Sequence, residues 1–323
     1  MRVKRVLSTL LAAVMVAATL VGCGGAGGSD LSSKNVTCIV PYDAGGGTDV
    51  VMRALADAAK GSFKSITVEN RSGAGGATGM LAGATAKADG TTVTMITVEL
   101  TTLEAMGTNA GLTYSMFKPI MMVNSACSAI TVKADDDRFN SLEDLIAYSK
   151  SNELQMGNSG TGAIWHLAAA GLAKTAGTEF KHVGYDGAAG AITDLLGGHI
   201  DAVAVSYAEV ASYVESGDLK VLAVMSDNRL DSIPDVPTCK ECGYDAVLGT
   251  WRGLGVPKDT PQEVVDQLYA AFSAAAESAE FVEFMNNSNN VIDILDGAAF
   301  EERIAKDLEV YTGLVNDLGL KVQ

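Results

Sequence analysis

Short β-rich runs alternate with small-residue helical stretches along this chain, and that alternation constrains its fold more than any other feature. Val36-Thr37-Cys38-Ile39-Val40 reads as a strand, 41–47 as a loop and 48–60 as a helix. A strand at 65–69, the glycine-rich loop 71–76, a helix reaching 86, the Asp89-Gly90 turn and a strand at 92–98 follow. This βαβαβ rhythm implies a parallel sheet with helices on both faces. Residues 126–133 read as a further strand, and Ser141 with Asp144 three residues later marks a helix start. A second series then has strands at 154–157, 180–185, 200–206 and 219–225, with helices starting near Gly162, Ala188 and Ala208. Residues 247–256 are strand-like again, and the tail is helical at 261–276, 279–286 and 298–318.

The second series carries its own crossover helices, so the tail helices need the first sheet to cover. The expected fold class is therefore α/β, with two α/β domains joined by two crossing strands near 126–133 and 250–256. Domain 1 is expected to be discontinuous, 35–130 with 252–323, and domain 2 to be 131–251. An interdomain cleft and the C-terminal ends of parallel strands are where α/β proteins take small molecules.

The charge balance removes some partners. With a formal charge of −16 the chain has no electrostatic footprint for nucleic acid and no basic run for an anionic membrane surface. An acidic binder of anions would need a local device.

The N-terminus stands apart. Arg2, Lys4 and Arg5 precede the apolar run 6–21, and Gly22-Cys23 follows, which is the order of a secretory signal. The run is at the short end for a membrane span, the alternative reading. A cysteine directly after a small residue resembles the lipobox of bacterial lipoproteins. That implies a signal peptide over 1–22, acylation of Cys23, and a flexible tether over 23–34. The protein is then extracytoplasmic and held at the membrane by lipid only. Cys38 and Cys127 sit in strand-like runs as core residues. Cys239 and Cys242 form a lone C-x-x-C, either a local disulfide or two free thiols. Zinc would need a second pair, and His166, His182 and His199 are not ligand-spaced, so no metal or cofactor is expected.

Three glycine-rich loops stand at strand ends before helices: 41–49, 157–162 and 185–190. Glycine lets backbone amides turn inward and approach a ligand. The helix that follows offers unbonded N–H groups and a partially positive end, which together hold carboxylate or phosphate. None of the loops has the Gly-Lys-Ser/Thr of a P-loop. The run Gly73 to Gly79 nears a dinucleotide fingerprint but has Thr78 in the last glycine's place. Small carboxylates remain. Asp49, at a helix start, is expected to cap amides. Asp186 is read as a turn residue, Arg53 and Arg71 as ion-paired, and Glu99 as facing either the cleft or solvent. Arg252 lies on a crossing strand without an assigned role.

Gly157-Asn158-Ser159-Gly160-Thr161 invites a catalytic reading, with His166 following. A nucleophile elbow would want glycine where Thr161 stands, and a triad needs a histidine free to reach the serine. A cradle of amides is the preferred reading. A secreted serine esterase using Ser159 is the alternative from another class, and a sensor domain with a signalling partner is a third.

Taken in order, "VPYDAGGGTDVVMRALA" (40–56), "VENRSGAGGATG" (68–79), "GNSGTGAIWHLAAAGLA" (157–173), "VGYDGAAGAITDLLGGHIDAV" (183–203), "LAVMSDNRLDSIPDVPT" (222–238) and "WRGLGVPKDTP" (251–261) resemble the Bug or TctC family. These are the extracytoplasmic substrate-binding proteins of tripartite tricarboxylate transporters. The resemblance covers nearly all of the chain beyond the leader. It implies a type II periplasmic-binding-protein fold, closure on a small organic carboxylate, a monomer, and delivery to membrane permease subunits. By position it points to Tyr42, Ala44, Gly45, Gly46, Thr48 and Asp49 in domain 1. In domain 2 it points to Ser159, Gly160, Thr161, Gly162 and His166, with Tyr185, Asp186 and Gly187 beside them. The chain departs from the family where Gly190 replaces an expected proline and where Val98-Glu99-Leu100-Thr101 replaces a small-residue loop. Glu99 there would favour a ligand with a positive or hydroxyl group. The C-x-x-C lies outside the family pattern.

Overall fold

The computed structural model of the chain describes residues 30–185 and 187–322. The expected signal peptide over 1–22, Cys23 and Asp186 lie outside them. One compact unit starts at Leu31. That residue was expected in the tether, but it is buried and its amide donates to Gln267 Oε1 at 3.2 Å.

The first series runs β1 (Asn35–Val40), α1 (Gly47–Ala58), β2 (Ser65–Asn70), α2 (Ala77–Ala84), β3 (Thr92–Thr97) and α3 (Glu99–Met106). A long strand, β4 (Phe117–Lys133), leads to α4 (Leu142–Ser149). The second series is β5 (Gln155–Asn158), α5 (Ile164–Ala176), β6 (Lys181–Gly184), α6 (Ala188–Leu196), β7 (Ala202–Ser206), α7 (Tyr207–Glu215) and β8 (Leu219–Val224). Then come β9 (Gly249–Pro257), α8 (Gln262–Ala276), α9 (Ala279–Asn287), β10 (Val291–Asp296) and α10 (Gly297–Asp317).

The two series repeat one pattern. In the first, β1 lies between β2 and β3 in parallel, and β3 has β9 as an antiparallel neighbour. In the second, β5 lies between β6 and β7 in parallel, and β7 has β4 as an antiparallel neighbour. The central strand of each set thus ends in a glycine-rich loop. β4 belongs to both sets: residues 117–127 pair with β9, and 128–133 pair with β7 and β8.

Local pattern misses the front of β4. Pro119 demotes its run as a strand, because proline cannot donate to a ladder. The register shift between Pro119 and Met121 accommodates it there. β10 is also missed; it pairs antiparallel with β4 along 121–125. The stretch read as a loop at 98–101 opens α3 instead, which packs against α10.

The tail does cover the first sheet. Phe272 of α8 meets Phe63 with ring centroids 5.7 Å apart, in a core shared with Val36, Cys38, Met52 and Leu55. α10 lies against β4 and also contacts α5. Its Phe300 stands edge-on to Trp251 at 5.0 Å, its Asp307 Oδ2 accepts from Trp251 Nε1 at 2.8 Å, and Tyr311 donates to the Gly249 carbonyl at 3.0 Å. Cys38, Cys127, Cys239 and Cys242 are free thiols.

Candidate functional site

The ends of β1 and β5 open onto one cavity of about 600 Å³, a size that suits a small-molecule ligand. Several helices begin at its wall, α3 at Glu99 and α7 near Glu209 among them. Gly46, Gly47 and Thr48 bring the N-terminus of α1, Ala163, Ile164 and Trp165 that of α5, and Gly187, Ala188 and Ala189 that of α6. A helix start carries N–H groups without intrahelical partners. Some other helix starts are capped by side chains, with Ser141 accepting for α4, Ser278 for α9 and Asp296 for α10, while α2 and α8 also lack a side-chain cap. For α1, α5 and α6 the N-cap residues are Gly46, Ala163 and Gly187, and none accepts through a side chain. The amides are left for something else, and the helix dipoles make that something negative.

The first loop is shaped by Asp49. Its Oδ2 accepts from the Gly45 amide at 2.8 Å and from Arg53 Nε at 2.9 Å, and its Oδ1 accepts from Asn70 at 2.8 Å. Burial alone would raise the Asp49 carboxyl, but these donors outweigh it and hold the group below its ordinary value. Gly45 has φ +85°, a conformation that glycine adopts without strain. Asp49 therefore folds the loop from behind, as a capping residue, and does not line the cavity. Arg53 and Arg71 are ion-paired, with Asp49 and Glu69.

The second loop is braced similarly. Asn158 Oδ1 accepts from the Gly160 amide at 3.1 Å, and His166 Nδ1 accepts from the Gly162 amide at 3.0 Å. The His166 ring turns inward, edge-on to His182 at 4.6 Å. Burial lowers the pKa of His166, and burial with the neighbouring His166 lowers that of His182 to about 4. Among the described residues, no hydrogen bond links Ser159 to His166, so the serine has no base in place. Tyr185 also braces: its hydroxyl donates to Asp194 Oδ2 at 2.7 Å, and its carbonyl accepts from the Gly187 amide at 2.9 Å.

Of the residues expected at the site, Tyr42, Ala44, Gly46, Thr48, Ser159 and Gly187 line the cavity. Gly45, Asp49, Gly160, Thr161, Gly162, His166 and Tyr185 sit off its wall, within or behind the same loops. Glu99, read as facing either the cleft or solvent, lines it, and Asp43, Trp165, Glu209 and Arg252 do so without having been singled out as binding residues.

Arg252 is the cation of the site. Its Nε donates to Thr48 Oγ1 at 2.9 Å, and Nη1 reaches Asn124 Oδ1 at 3.5 Å. Among the described residues no carboxylate lies within ion-pair distance of it. Burial pulls its pKa below the ordinary value, and Glu209, Glu99 and Tyr42 oppose that from farther off. Glu99 Oε2 accepts from Tyr42 Oη at 2.8 Å and from Thr97 Oγ1 at 2.7 Å. Burial, then Glu99, lift the Tyr42 hydroxyl well above its ordinary pKa, so it stays a donor. Glu209 Oε2 accepts from the Ser206 amide at 2.8 Å and hydroxyl at 2.7 Å. The signals for these residues were weak: a charge following a strand, at Glu99, and an arginine on a crossing strand.

Comparison with known proteins agrees with this architecture. The family of tripartite tricarboxylate transporter receptors matches residues 51–320. A TctC solute-binding protein from Polaromonas is 40% identical, with 88% of this chain and 98% of that one superposed at a TM-score of 0.77. The periplasmic binding protein BugD is 29% identical, over 90% of this chain and 99% of its own, at a TM-score of 0.78. MatC from Rhodopseudomonas palustris, solved with bound malate, shares the fold at 21% identity, with coverages of 87% and 98% and a TM-score of 0.77.

Proposed function

The chain belongs to the tripartite tricarboxylate transporter receptor family, and from that premise we propose that it is an extracytoplasmic solute-binding lipoprotein for a small organic carboxylate. The observation that carries the reading is the convergence of α1, α5 and α6, with N-caps that lack side-chain acceptors, on the cavity that Arg252 also lines. The carboxylate lies against these amides and the guanidinium. Each contributes without the protein needing a basic surface, which an acidic chain lacks.

The mechanism is closure of two lobes, 35–130 with 252–323 and 131–251, about β4 and β9. A ligand touched by α1 from one lobe and by α5 and α6 from the other binds the closed form better, and so shifts the population towards it. The closed lobes present a composite surface to the permease subunits of a tripartite tricarboxylate transporter. Cys23, acylated after removal of 1–22, holds the monomer at the membrane. The MatC structure illustrates that this fold has room for a small dicarboxylate.

The test is a thermal-shift screen of protein unfolded and refolded to strip bound ligand, against mono-, di- and tricarboxylates and amino acids. A ligand at a hundredfold excess over its Kd adds about 2.7 kcal/mol of stability. A clear rise with an acid supports the reading. No rise with any acid would rule out carboxylate capture.

A further inference from the structure

The cavity is lined by three carboxylates and one side-chain cation. Asp43, Glu99 and Glu209 line it alongside the single cation Arg252. The starts of α1, α5 and α6 add partial positive charge, as do those of α3 and α7, on which Glu99 and Glu209 themselves sit. Among the lining side chains alone, carboxylates outnumber cations, which favours a ligand that brings a cation of its own beside its carboxylate.

Two of the carboxylates are built to receive a donor. Glu99 takes both of its bonds, from Tyr42 and Thr97, on Oε2, and Glu209 takes both of its bonds, from the Ser206 amide and hydroxyl, on Oε2. In each, Oε1 has no hydrogen bond among the described residues. One oxygen is clamped and the other is open, which fixes the carboxylate without using its full accepting capacity. Neither residue reaches Arg252 as an ion pair. Charged donors bound to such preorganised acceptors make the stronger class of hydrogen bond.

We propose that the cargo is an amino-carboxylate zwitterion: its carboxylate lies at the α1, α5 and α6 ends with Arg252, and its ammonium group on the open oxygens of Glu99 and Glu209. This assignment rests on the carboxylate-capture reading above and narrows it.

The experiment is calorimetric titration of the stripped protein with pairs of acids that differ by one amine: glutarate and glutamate, succinate and aspartate, butanoate and 4-aminobutanoate, propanoate and alanine. The expected result is that the aminated member binds at least about tenfold more tightly in one or more pairs. Glu99→Gln keeps an acceptor for Tyr42 and should cut that preference by about tenfold, with Glu209→Gln as the second variant. Equal or tighter binding of the acids without an amine overturns the zwitterion assignment and leaves carboxylate capture standing. So does an amine preference that survives both substitutions, since another group must then read the amine. Silence from every member of the series overturns both readings together.

Discussion

Arg252 Nε donates to Thr48 Oγ1 at 2.9 Å, so a side chain from β9 holds the first turn of the helix behind the first glycine-rich loop. Its neighbour Trp251 leaves β9 on the other face and bonds Asp307 of α10. One dipeptide thus joins the cavity to the packing behind it. Replacing Arg252 by methionine removes the cation while keeping much of the stem. Carboxylate affinity should fall by at least about tenfold, because a charge-assisted bond is lost. Folding stability should change little, since a buried guanidinium without a carboxylate partner is itself costly. Calorimetry and urea unfolding measure the two. Undiminished affinity would show that the helix ends hold the anion alone.

Gly46 lines the cavity with φ −76° and ψ 165°, a conformation open to any residue, and a β-carbon there meets only the Asp43 carbonyl, at 3.6 Å. Gly46→Val should fold with stability within about 0.5 kcal/mol of the parent. Its branched side chain would occupy the ligand's place and cost at least about tenfold in affinity. A titration with unchanged Kd would refute the cradle at α1.

Gly253 lies where β9 passes beneath α10, and a β-carbon there would collide with the Phe300 ring and the Met121 carbonyl. The carbonyl belongs to the backbone and cannot swing aside. Gly253→Ala should therefore destabilise the protein by about 1–3 kcal/mol, as overpacking does. Chemical denaturation reads this directly, and a neutral result would mean that α10 sits farther from β9 than described.

His182 is held neutral by burial and by His166, with its pKa lowered to about 4 from an ordinary 6.5. Between those values the unfolded chain binds a proton that the folded chain does not. Stability from this group is complete above pH 6.5 and is lost as pH falls towards 4. His182→Gln should flatten the stability profile in that window, as followed by unfolding at pH 7, 6, 5 and 4. A slope identical to the parent's would place the titration elsewhere.

Much of this arrangement is written in contiguous residues. The alternation of β-rich runs and helices, the loops at 41–49 and 157–162, and the Ser141 cap all follow from periodicity and turn chemistry within a few positions. The capping of the Gly45 amide by Asp49 is equally local. Other features depend on partners far along the chain. β10 exists because the edge of β4 is there to pair with it, and α3 forms where a loop was expected because α10 packs on it. Whether Trp251 or Arg252 faces the cavity depends on the register of β9 between β3 and β4, since a slip of one residue exchanges the two faces. His166 shows the same limit: its position after a serine suggested a site, but burial and His182 turn it inward. Local pattern set most of the elements and the glycine-rich loops. Long-range pairing and packing set which charges meet across the cavity, because side-chain direction is decided only when strands and helices find their neighbours.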